Sequence, residues 1–191
     1  MSIITKSDRD KIGNAIVYIA AKTPKLSKTK LLKLLYFMEE LSVKKFYTPF
    51  LGLQFEVWQA GPVAKDVFID LSETPIILDG FIKKEVINNA TYIKAIKSFC
   101  DDEFSDNDIK VMDEILNMYA NKTAAELVQI THEKDTLWYN VANKNGLTDV
   151  FESKLMNNSD YTIDFSELLS DSLKQFYKEQ LDFVKLTRCY S

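Results

Sequence analysis

The chain holds one histidine, His132, in the run THEKDTLW. With Glu133 or Asp135 beside it, an imidazole could serve as a general base oriented by a carboxylate. No second catalytic group accompanies it, and a histidine that ends a helix bonds orphan carbonyls equally well. Trp138 then reads as a core anchor whose indole N–H finds an internal partner. A single histidine excludes a multi-histidine zinc site, and no cofactor motif is present: the chain lacks GxSxG, a P-loop and GxGxxG. Cys100 sits in SFCDDEF beside three acids, a poor setting for a nucleophilic thiolate. Asp101, Asp102, Glu103, Asp106 and Asp108 lack the glycine and closing glutamate of a calcium loop, so they read as a solvated helix start. The pattern argues against an enzyme.

The elements that position these residues centre on Ser27 to Trp58. Leu31, Leu34, Leu35, Met38 and Leu41 share one helical stripe, widened by Leu32, Tyr36, Val43 and Tyr47. Lys30, Lys33, Glu40 and Lys44 occupy what remains. The apolar arc is about twice the ~100° of a surface helix, which predicts a central helix packed on several sides. Ser27 is its N-cap and Pro49 marks its stop. Before it, Ser7 or Asp8 caps a helix that runs to Ala21 and ends at Thr23-Pro24.

Leu51, Leu53, Phe55 and Val57 alternate with polar neighbours, so residues 50–60 read as a half-buried strand exposing Gln54 and Glu56. Gly61-Pro62 reads as a sharp turn with Pro62 opening a helix. Residues 76–99 hold one or two strands around Asp79-Gly80, with 92–96 an edge strand or a helix. Ser105 caps a helix to Tyr119, Thr123 and Glu126 form a capping box, and a further helical turn runs from Leu137 to Ala142. Residues 147–165 read as loop, and an amphipathic helix spans 166–186, with Leu169, Leu173, Phe176, Tyr177, Leu181 and Val184 apolar. The fold class is α+β, mostly α-helical: a compact helical domain around a buried helix, with a small antiparallel β-sheet.

At 191 residues and 46% hydrophobic composition, the chain buries roughly 70% of its unfolded surface and needs no staple. Cys100 and Cys189 have no metal or CxxC spacing and read as reduced thiols. No signal-peptide core or membrane span is evident, which points to the cytoplasm. A net charge of −4 argues against nucleic acid as a partner. Residues 22–45 carry seven lysines against Glu39 and Glu40; they form either a solvated rim or a docking patch for an acidic partner.

Three stretches in order resemble the Panacea domain family, which includes SocA-like antitoxins and phage-associated GepA-type proteins. The first is KLLKLLYF, with Lys30, Leu31, Lys33, Leu34, Leu35, Tyr36 and Phe37. The second is VWQAGPVAKDVF, with Trp58, Gly61, Pro62 and Val63. The third is Thr131, His132 and Trp138, with Leu137 where many members have a proline. The resemblance implies a Panacea-like domain over 1–146 and a C-terminal extension, 147–191, whose amphipathic helix packs on that domain. It further implies a bacterial antitoxin that neutralises a cognate toxin, encoded by an adjacent gene, through direct binding. The alternatives are an adaptor delivering a toxin to a ClpXP-type protease, or a phage- or mobile-element-associated regulator. The motif residues read as fold-determining positions on which a partner site depends. Contact candidates are the Lys28/Lys30/Lys33 edge, Gln54, Glu56 and the final helix.

Overall fold

The computed structural model describes residues 6–189, with side chains to residue 186. Helix α1 (Lys6–Lys22) leads into α2 (Lys28–Phe46), the element around which the others pack. Ser27 caps α2, its side chain accepting from the Lys30 N–H, and Tyr47 ends it in the left-handed conformation at φ 60°. The helix touches α3 (Lys65–Ser72), α4 (Asp106–Tyr119) and α5 (Ala124–Thr131) as well as strands β2 (Gly61–Ala64) and β4 (Ala90–Ala95). Every residue from Lys30 to Glu39 is buried, so this helix has no solvated face along that length. Tyr36 meets Phe55 and Phe165 with ring centroids 5.7 Å from each.

That burial corrects the expected lysine edge. Lys33 is 1% exposed and Lys30 7%, and their ammonium groups donate to the carbonyl oxygens of Pro62 and Ala120. Lys44 pairs with Glu40, Lys45 with Glu114 and Lys22 with Asp113, while Lys28 lies over the Phe68 ring. Much of the basic run is therefore engaged within the domain itself.

Two small antiparallel hairpins form: the first replaces the strand and helix-opening turn expected over 50–62, and the second carries the strands expected within 76–99. In the first, β1 (Phe55–Trp58) pairs with β2, and Pro62 lies within β2 while the following helix starts only at Lys65. The two-residue turn at 59–60 makes Trp58–Gly61 the closing bonded pair, so the next pair, Val57–Pro62, turns its backbone groups outward. A proline costs no ladder bond there. The second hairpin joins β3 (Ile82–Ile87) to β4 through Asn88 and Asn89, at φ 50° and 62°. This asparagine pair, rather than Asp79-Gly80, supplies the primed turn. Residues 92–95 are strand, not helix.

Buried carboxylates shape two loops. Glu39, 1% exposed, accepts the N–H groups of Phe50, Leu51 and Gly52. Asp70 accepts those of Ile76, Ile77 and Leu78. Segment 50–52 thus wraps a side chain before the strand begins. Glu56 is buried as well, held by Lys65 and the Trp58 indole N–H, so of the two expected exposed strand positions only Gln54 faces solvent.

The chain closes through α6 (Leu137–Lys144), α7 (Leu147–Glu152), a 3-10 turn at Phe165–Leu168 and α8 (Asp171–Cys189). Both expected caps on α4 and α5 form full capping boxes. Helix α7 lies where a loop was expected. Residues 157–163 then run along the free edge of β1: Val57 N–H donates to Tyr161 O and Ile163 N–H to Phe55 O. On α8, Tyr177 is buried, whereas Phe176 is 44% exposed. Cys100 is a free, half-buried thiol; the Cys189 side chain lies outside the described residues. Among the described residues no helix is long and apolar enough to cross a membrane.

Candidate functional site

The motif residues converge on the β1–β2 hairpin from three directions. Lys33 of α2 reaches under it, and its Nζ donates to Pro62 O over 2.7 Å. Trp138 of α6 donates its indole N–H to Trp58 O at 3.0 Å. His132, which caps the C-terminus of α5, sets Nε2 3.0 Å from Gln59 O and Nδ1 2.6 Å from Val128 O. From the C-terminal segment, the Ser159 hydroxyl donates to Val57 O at 2.6 Å. Four carbonyl oxygens of one short hairpin therefore each face a polar side chain from elsewhere in the chain.

The packing beneath is equally tight. Gly61 sits at φ +90°, and a Cβ there would lie 2.6 Å from Thr131 Oγ1 and 2.8 Å from Lys33 Cε. Only glycine accommodates both the backbone angle and the approach. Thr131, 1% exposed, donates its hydroxyl to Val128 O. The His132 and Trp138 rings lie with centroids 3.7 Å apart. Gln59, at the hairpin tip, donates its side-chain N–H to Phe151 O and its backbone N–H to Asn157 O.

Burial governs the charges. It lowers Lys33 to about 7, because an ammonium removed from water is costly and one carbonyl only partly replaces its hydration. Burial also pulls the His132 imidazole below its ordinary value; its bonds to Val128 and Gln59 oppose this, and the nearby Lys33 charge adds to the lowering. Both ring nitrogens face carbonyl oxygens, which can only accept. A neutral ring thus satisfies one of them, and neither nitrogen stays open to take a proton from a substrate. On α2, burial raises Glu39 to about 7, against the lowering effect of its three backbone N–H bonds.

The structure brings together Lys33, Trp58, Gly61, Pro62, Thr131, His132 and Trp138. Leu31, Leu34, Leu35, Tyr36 and Phe37 lie in the core below them, with Val63 buried in β2 and Lys30 turned to Ala120 O. Sequence reading missed Gln59 and Ser159. Gln59 stands inside the WQAGP run and could have been suspected from that position, while Ser159 lies in a polar stretch with no distinguishing signal. Among the described residues no group of three or more His, Cys, Asp or Glu side chains could hold a metal ion.

Fold and site together define a small α+β domain whose signature side chains lock one hairpin to a buried helix. The chain belongs to the antitoxin SocA-like family, Panacea domain, whose model matches residues 31–139. No curated protein and no solved structure matches the chain.

Proposed function

We propose that this protein is the antitoxin of a toxin–antitoxin pair and neutralises its cognate toxin by binding it directly, with no catalytic step of its own. Membership of the antitoxin family carries the reading. The use of Lys33, His132 and Trp138 as internal clamps supports it, since it points to a function held in the surface around the hairpin rather than in an exposed reactive group.

Growth rescue tests the reading. The adjacent open reading frame is expressed under tight control in a bacterium, with and without this chain. Growth arrest by the neighbour alone and recovery on co-expression are the expected result. A harmless neighbour, or arrest that the chain does not relieve, would defeat the reading.

A further inference from the structure

Beside the clamp the surface dips into a crevice of about 250 Å³, lined by Gln59, His132, Trp138, Tyr139, Phe151 and Glu152 among others. We propose that it receives one basic side chain, an arginine or lysine, presented by the protein partner; the identity of that partner as a toxin rests on the antitoxin reading.

Size favours a single side chain. Small-molecule sites occupy about 300–1,000 Å³, and this crevice falls below that range. Its chemistry favours a long, cationic one. Trp138, Tyr139 and Phe151 give apolar walls along which a basic side chain lays its methylene stem while the head stays polar. Glu152 is exposed and forms no ion pair among the described residues. Among the described residues no lysine or arginine lines the crevice, and the nearby Lys33 is sealed against Pro62 O. The His132 ring nitrogens face carbonyls, so among its described lining residues the crevice offers one carboxylate acceptor and no cation. The net charge of −4 favours encounter with a basic partner.

Its position fits a docking point. His132, Trp138 and Tyr139 lie within the family-matched residues, whereas Phe151 and Glu152 lie beyond them. The segment after Glu152 carries Leu155 and Met156, 80% and 41% exposed. It returns to the crevice rim where Asn157 O accepts the Gln59 N–H. Arginine and aromatic side chains are enriched where interfaces bind most strongly, and a partner arginine against Trp138 and Tyr139 is that pairing.

The test uses N-acetyl-arginine amide as probe, with N-acetyl-leucine amide as control, titrated into the isotope-labelled full chain. The Trp138 indole and Tyr139 amide resonances report binding. The arginine probe is expected to give saturable shifts at millimolar concentration, and E152Q, with its melting temperature unchanged, to weaken binding at least threefold. No saturable shift, equal binding by E152Q, or tighter binding of the leucine probe would overturn the proposal. In cells, E152K is expected to lose rescue that the wild type provides. Full rescue by E152K would also overturn the proposal while leaving the antitoxin reading standing, because wild-type rescue tests that reading alone.

Discussion

Lys33 and Pro62 meet across 29 residues of chain, ammonium to carbonyl oxygen at 2.7 Å, in a place where Lys33 is 1% exposed. The contact joins the two longest stretches of the family motif. It also fills the space under Gly61 that a β-carbon would need.

Lys33 makes stability depend on pH. Burial holds it at about 7 in the fold, against about 10.4 when unfolded. Between those values the unfolded chain binds the extra proton, so this group's contribution to stability rises as pH rises from 7 to 10. The window is worth on the order of 4 kcal/mol at 1.36 per unit. K33M removes the buried charge and should match or exceed the wild type at pH 6.5, with the advantage reversing toward pH 10. Urea midpoints at pH 6.5, 8 and 10 check this, and parallel profiles would contradict it.

Glu39 acts in the adjacent window with the opposite slope. Raised to about 7 from an unfolded value near 4.3, it keeps its proton in the fold longer than in the unfolded chain. Its contribution therefore falls as pH rises from 4.5 to 7. E39Q puts an amide N–H₂ against at least one of the N–H donors of residues 50–52 and should cost about 1–3 kcal/mol. The cost should be larger at pH 5 than at pH 7.5, measured by urea denaturation.

Gly61 and Gly80 make a controlled pair. Both sit at positive φ, +90° and +80°, but a Cβ at Gly80 meets nothing within 4 Å. G80A should lose about 1 kcal/mol from backbone strain alone, and G61A about 2–4 through strain and overpacking together. Equal losses would show that the hairpin does not press on Thr131 and Lys33.

His132 and Trp138 hold neighbouring carbonyls of one turn. W138F removes one bond and should cost about 1 kcal/mol; H132A removes one bond together with a half-buried ring and should cost about 2 kcal/mol. Because they share the hairpin, their effects should be coupled rather than additive. Thermal unfolding of the two single variants and of the double variant checks this, and additive losses would contradict it.

The central helix was legible because leucines recur at helical spacing, and the caps at Ser27, Ser105 and Thr123 because their geometry is local. The burial of Lys33 was not legible, because a lysine on a helix ordinarily marks a solvated face. Phe37, one turn further along that face and 6% exposed, was the available warning. The missing N–H of Pro62 suits a helix start, yet a strand position whose backbone groups point away from the partner strand suits it equally. The clamp was visible only as three motifs. That their side chains meet on one hairpin is set by tertiary packing over long separations, as is the seat of Phe165 against Tyr36 and Phe55.

Co-purification tests the central claim most directly. The tagged chain is co-expressed with the product of the adjacent gene, and the eluate is resolved by size-exclusion chromatography. Direct neutralisation predicts that both proteins leave the column as one stable complex, with the neighbour's cellular level undiminished. Rescue without a complex, accompanied by protease-dependent loss of the neighbour, would contradict it and make the chain a delivery adaptor instead.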